Sequence, residues 1–195
     1  MVELLKVFDE DYRYIHNEYR EKIHESGLWH ETFHCWLVDE ENVYIQKRSF
    51  VKKDFPGMYD ITAAGHLLAD ETVMDGVREV EEEIGIVIDH MKLQSTGVVR
   101  DTIKLPGFID NEFANVFVYK YTFAPTDFKL QQEEVDGIHI VEIQDLVMLF
   151  RSRVVKVVCK NIHTGEVGEL KLTDFVPHET EYFIAIADML NNIAP

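Results

Sequence analysis

Gly65-His66-Leu67-Leu68-Ala69-Asp70-Glu71-Thr72-Val73-Met74-Asp75-Gly76-Val77-Arg78-Glu79-Val80-Glu81-Glu82-Glu83-Ile84-Gly85-Ile86 is the stretch from which the rest of the chain can be read. Its end packs four carboxylates into the five residues from Glu79 to Glu83 and then stops at a glycine. At about 100° per residue, Glu79, Glu82 and Glu83 stand at i, i+3 and i+4 and share one helix face, while Val73, Val77, Val80 and Ile84 line the other. Like charges on one face repel by a few tenths of a kcal/mol per exposed pair, a penalty that a cation removes. Oxygen-only ligands select hard Mg²⁺ or Mn²⁺, which commonly join carboxylates to substrate phosphates. Thr72-Val73-Met74-Asp75 fits a capping box, so the spacing predicts a helix start at Thr72. Gly85 closes that helix, and Ile86-Val87-Ile88 is expected to resume as a strand.

Gly65, Arg78 and Gly85 are spaced around the acids as in the Nudix box, G-x5-E-x7-R-E-U-x-E-E-x-G-U with U apolar, and the chain resembles that family. One departure stands out. Counted forward from Gly65, the first motif glutamate is Glu71; counted backward from Arg78, it is Asp70, with Ala64 in the place of the glycine. The loop is one residue short, and either acid can be the partner of the motif arginine. The metal-bearing half, Arg78 to Ile86, is intact.

A chain of 195 residues makes one domain with room for appendages. A net charge of −17 argues against nucleic acid or an anionic membrane as partner, so a polyphosphate ligand would need a metal and a few local bases. Two cysteines, Cys35 and Cys159, imply no disulfide framework and suit a reducing cytoplasm. The N-terminus does not read as a signal peptide, and no window reaches the roughly 20 apolar residues of a membrane helix.

Periodicity predicts a strand at 3–8, a short helix at 18–24, a hairpin at 34–46 and a basic loop at 47–60. Beyond the box helix it predicts strands at 94–99, 113–122 and 138–142 and a helix at 143–150. A hairpin flanking 161–165 and a helix at 178–191 complete the chain. Together with the resemblance this reads as an α/β fold, a Nudix α/β/α sandwich with a mixed central sheet and a C-terminal hairpin-helix extension. The expected division is an N-terminal extension at 1–28, the core at 29–151 and a C-terminal extension at 152–195, in which no chemistry is read.

Several residues outside the helix are candidates for chemistry. Lys47, Arg48, Lys52 and Lys53 form the dense basic patch of an acidic chain, just before Pro56-Gly57. The resemblance implies that Arg48, Lys52 and Lys53 face substrate phosphates, with Arg48 favoured because its planar fork matches phosphate. It also implies that Glu133 or Glu134 supplies a further metal ligand or the general base, a role otherwise open to Glu79. Leu28-Trp29-His30, Ala64-Gly65-His66 and Asp110-Asn111-Glu112-Phe113 resemble segments of isopentenyl diphosphate isomerase, a Nudix-fold enzyme. That likeness implies a second metal site from His30, His66 and Glu112, with Asp110 replacing a glutamate. His24 precedes His30 by six residues, one fewer than that enzyme's spacing. Where the isomerase has a proton-transferring cysteine this chain has Ala64, which counts against isomerisation.

The expected activity is that of a Mg²⁺- or Mn²⁺-dependent Nudix pyrophosphohydrolase cleaving a diphosphate linked to another moiety. Glu79, Glu82 and Glu83 are expected to hold the metal, and Arg78 to orient an acid at the helix start. The alternatives are the isomerase itself and a catalytically silent, nucleotide-sensing module. The expected partner is a small-molecule diphosphate, with neither nucleic acid nor membrane, and self-association into a homodimer is allowed for.

Overall fold

A computed structural model describes residues 3–193. The residues that read as alternating form one branched, mixed sheet. Its path runs β11 (Val167–Leu170), β10 (Val157–Asn161), β9 (Val135–Glu142), β4 (Asn42–Arg48), β3 (Trp29–Val38), β1 (Leu4–Phe8) and β2 (Tyr14–Tyr19). Two short strands, β5 (Tyr59–Asp60) on β4 and β6 (Ala63–His66) on β3, fill the gap where β3 and β4 splay apart. The hairpin of β7 (Leu93–Leu105) and β8 (Phe108–Lys120) joins through β8, which lies parallel to β3 along its whole length, from Trp29 opposite Asn111 to Val38 opposite Lys120.

The two faces of β3 follow from the period of two. Phe33, Cys35 and Leu37 point to the face covered by the box helix α2 (Arg78–Ile84), where they meet Val77, Val80 and Ile84. Trp36 and Val38 point to the opposite face, covered by α3 (Ile143–Phe150) and the C-terminal α4 (Thr180–Ile193). In α3, Ile143, Leu146, Val147 and Phe150 recur at i, i+3, i+4 and i+7 and are all buried. A seven-residue helix such as α2 would not persist alone. Its buried apolar side chains, at roughly 1.5–3 kcal/mol each, outweigh the few tenths lost per like-charge pair on the other face.

The box entry takes the expected form in two steps. Asp75 Oδ2 accepts from the Thr72 amide and from its hydroxyl, each at 2.7 Å, over a 3₁₀ turn, Val73–Val77, and the α-helix proper begins at Arg78. Gly85 ends it at φ +74°, the left-handed conformation that favours glycine. Two sequence expectations differ from the structure. Ile86 and Ile88 are buried in the cluster under α2 but make no strand, and Val87 is exposed. Tyr14–Tyr19 is an edge strand, so the first helix, α1 (Arg20–Ser26), starts later than predicted. Among the described residues no helix is long and apolar enough to cross a membrane.

Candidate active site

Helix α2 presents its acids to three environments. Glu82 stays at the surface, with 57% of its side chain exposed. Glu79 turns in over β6 so closely that a Cβ on Gly65 would sit 2.2 Å from its carboxyl carbon, so a side chain there would displace the Glu79 carboxylate. Glu83 is buried, and its Oε2 accepts from Gln46 Nε2 at 3.2 Å and from the Ala64 amide at 3.4 Å. Burial pushes the Glu83 carboxyl up to about 8, helped by the charges of Glu79 and Glu134 and opposed by Lys52. Burial also raises Glu79, against the pull of Arg78.

Arg78 ties the cluster together. Its Nε and Nη2 donate to the two oxygens of Glu71 at 2.6 and 3.1 Å, and Nη2 also reaches the His66 carbonyl at 3.2 Å. Its Nη1 donates to Glu79, and to Glu82 at 3.2 Å. Glu71 therefore takes the place of the motif acid that the sequence left open, and Asp70 is exposed. Among the described residues Glu79, Glu82 and Glu83 do not bring three ligand atoms within 4.8 Å of one another; Arg78 stands between Glu79 and Glu82, and Glu83 lies buried apart.

A second cluster forms at the far end of β3 and β8. His24 on α1, His30 on β3, His66 on β6 and Asp110 on β8 bring ligand atoms within 4.8 Å of one another. Asp110 Oδ1 lies 3.2 Å from His24 Nε2 and 3.3 Å from His30 Nε2, and the His24 and His66 Nε2 atoms are 3.3 Å apart. His30 points Nδ1 at the Leu28 carbonyl, 3.2 Å away, which leaves a buried Nε2 without a hydrogen-bond partner; Asp110 Oδ1 is likewise unpartnered. A ring fixed by its Nδ1–H with Nε2 free is the geometry of a metal-ligating histidine. Burial, with the charges of Arg20 and His30, holds His66 well below its usual range, in the neutral form that ligates. Three imidazoles and one carboxylate suit Zn²⁺ or another transition ion better than Mg²⁺.

The NUDIX domain family matches residues 28–158. The chain belongs to the Nudix family. Over 192 residues it is 33% identical to an uncharacterized Nudix hydrolase of Clostridium acetobutylicum, covering 93% of each chain. It is 30% identical over 118 residues to an isopentenyl-diphosphate Delta-isomerase of Mycolicibacterium vanbaalenii, covering 59% of this chain and 65% of that one. A crystal structure of a Deinococcus radiodurans protein superposes with a TM-score of 0.60 at 16% identity, over 77% of this chain and 90% of that one, which shows the shared fold. The protein is accordingly a member of the Nudix hydrolase family.

Against this Nudix frame, several residues have partners that the sequence reading did not assign. The Arg48 fork is engaged within the chain: Nη1 donates to Asp60 at 2.9 Å, and Nε and Nη2 donate to the Asp54 carbonyl at 3.3 and 3.0 Å. An acid twelve residues on, brought alongside by the β4–β5 pairing, has captured it. Lys52 pairs with Glu134, and Lys53 stays exposed. Glu134 is half-buried and its charge bears on Glu83, whereas Glu133 points to solvent. Glu112 is not in the histidine cluster; its Oε2 faces His34 Nε2 at 3.3 Å, and His24 takes the fourth corner instead. The spacing mismatch at His24 is absorbed by α1, which ends at Gly27 with φ +64° and carries the ring in from another element.

A third buried polar group has no counterpart in the sequence reading. His34 Nδ1 lies 2.8 Å from the Tyr182 hydroxyl on α4, and the Tyr182 ring stacks on His178 at 4.6 Å. His178 donates through Nδ1 to Asp101 at 2.6 Å and through Nε2 to Asp60 at 3.1 Å. Despite burial, the two carboxylates push this imidazole up to about 10, and Asp60 is held well below the usual carboxylate range by His178 and Arg48.

Proposed function

We propose that the protein is a divalent-metal-dependent pyrophosphohydrolase acting on a small organic diphosphate, with water attacking phosphorus. The observation that carries this reading is the buried Glu83, raised to about 8 beside a raised Glu79, on the helix that the Nudix box defines. Glu79, Glu82 and Glu83 would hold Mg²⁺ or Mn²⁺, which when bound supplies charge neutralisation for the diphosphate and a more acidic water. Arg78 holds Glu71, Glu79 and Glu82 in one array, so it orients the donors and stays off the reacting atoms. Glu134, beside Lys52 and within the electrostatic reach of Glu83, is the better of the two loop acids for accepting a proton from the attacking water. Lys52, freed from Glu134 by that protonation, is the loop cation available to a phosphate oxygen.

Isomerisation is disfavoured by two observations. The Ala64 side chain packs on the apolar cluster and has no proton to transfer, and Glu112 is engaged with His34. The buried free thiols Cys35 and Cys159 support a reducing cytoplasmic location. The test is a screen of organic diphosphates with added Mg²⁺ or Mn²⁺, scored by phosphate release after phosphatase coupling. Metal-dependent release from a subset of compounds is expected; isomerisation of isopentenyl diphosphate at an enzyme-like rate would sink the reading.

A further inference from the structure

The C-terminal extension is tied into the loop between β4 and β5 by an unbroken line of hydrogen bonds. Segment 175–178 runs beside β5: Phe175 bridges to Tyr59 in parallel and the Val176 amide donates to the Tyr59 carbonyl at 2.9 Å. That pairing sets His178 beside Asp60. Below it, Asp101 accepts from His178 Nδ1 at 2.6 Å and from the Glu179 amide at 2.9 Å, which fixes the ring and the entry to α4 together. His178 and Asp101 are buried, with 6% and 1% of their side chains exposed.

Asp60 divides its oxygens between two elements. Oδ1 takes His178 and Oδ2 takes Arg48 at 2.9 Å. Arg48 passes the restraint on, since its other donors converge on the Asp54 carbonyl. The next residue, Phe55, sits at φ +52°, a conformation that a bulky side chain adopts only where its surroundings over-determine it. Two further bonds close the loop on the opposite side: the Ser49 amide donates to the Glu134 carbonyl at 2.8 Å and Ser49 Oγ to the Gln132 carbonyl at 2.7 Å. Lys52 stands between these anchors, paired with Glu134.

We propose that His178 is a positioning residue for loop 49–58, holding Asp60 so that Arg48 can clamp the Asp54 carbonyl and present Lys52 to the box acids. The function of that loop as a phosphate cradle rests on the hydrolase reading; the order of the loop does not. His178 touches no reacting atom. The C-terminal extension thus becomes part of the machinery of the site, acting from the face of the sheet opposite α2.

Tryptic cleavage of the native full-length protein after Lys52 and Lys53, followed by mass spectrometry well below the unfolding temperature, reads loop order directly. His178→Ala should raise that rate at least 5-fold over wild type. His178→Gln, which keeps a donor for Asp60, should fall between the two and remains usable if the alanine variant does not fold. Leu190→Ala destabilises the same helix with no part in the Asp60 network, and it should leave loop cleavage within 2-fold of wild type. Arg48→Lys combined with His178→Ala should cleave no faster than Arg48→Lys alone, because both act through one line of bonds. Unchanged cleavage in His178→Ala, equal acceleration in Leu190→Ala, or multiplicative rates in the double variant would each overturn the proposal, whatever the diphosphate screen finds.

Discussion

Replacing Glu83 by glutamine should stabilise the metal-free protein at alkaline pH, the reverse of what most buried substitutions do. Glu83 binds its proton more tightly when folded than when unfolded, because burial and the neighbouring acids lift it from 4.5 to about 8. Its contribution to stability is therefore full below pH 4.5 and is lost as pH rises through about 8. At about 1.4 kcal/mol per pH unit, that interval bounds the effect at roughly 5 kcal/mol, and relaxation of the site will reduce it. Glutamine keeps an oxygen for Gln46 and the Ala64 amide without carrying the charge. For a chain of this size each kcal/mol moves the melting temperature by about 2–4 °C, so a gain of several degrees at pH 8 in EDTA is expected, with little difference at pH 5. Millimolar Mg²⁺ should reverse the order, raising the wild type and leaving Glu83→Gln nearly unmoved. A variant that is equally destabilised at both pH values, with no response difference to Mg²⁺, would refute the assignment of Glu83 as a strained buried metal ligand.

Other outcomes follow from the same geometry. Glu82→Gln should reduce turnover by roughly 100-fold or more, about 2.7 kcal/mol of transition-state stabilisation, whereas the outward-facing Glu81→Gln should be mild; equal losses would show the helical phasing to be wrong. Isopentenyl diphosphate incubated with enzyme and metal in deuterated water should acquire no deuterium, as Ala64 requires. The His24–His30–His66–Asp110 cluster should take up about one equivalent of Zn²⁺ by plasma mass spectrometry after gel filtration, and Asp110→Asn should lose most of it; undiminished uptake would assign the metal elsewhere. Nitrogen-15 spectra should show His178 doubly protonated until about pH 10, and its stabilising contribution, full below pH 6.5, should decline from there and vanish above about 10.

What could be read from the chain was local. The Glu79–Glu83 run with its closing Gly85, the Thr72–Asp75 start and the helix at 143–150 each lie within a few residues, and the structure forms both helices there. Spacing could not say that Glu83 would be buried and Glu82 exposed, because that depends on how far α2 tilts over β6. Partners set by long-range pairing were beyond the reach of spacing. Arg48 bonds Asp60, brought alongside by strand pairing, and Glu112 faces His34 whereas Asp110 faces His24 and His30. His178 reaches Asp60 and Asp101 across 118 and 77 residues of sequence, and a lone histidine at a helix entry gives no sign of such partners. Ile86–Ile88 misled for the opposite reason: three apolar residues satisfy a strand pattern, yet burying Ile86 and Ile88 against the box-helix cluster needs no strand.

The most direct test of the account is hydrolysis in ¹⁸O-labelled water of the diphosphate compound most active in the screen, with Mg²⁺ or Mn²⁺ present, read by mass spectrometry of both products. One labelled oxygen on a phosphate product, formed only with metal and lost in Glu82→Gln, is the expected result. Label on the organic moiety, or turnover that survives both EDTA and the Glu82→Gln substitution, would contradict water attack on phosphorus at the box acids.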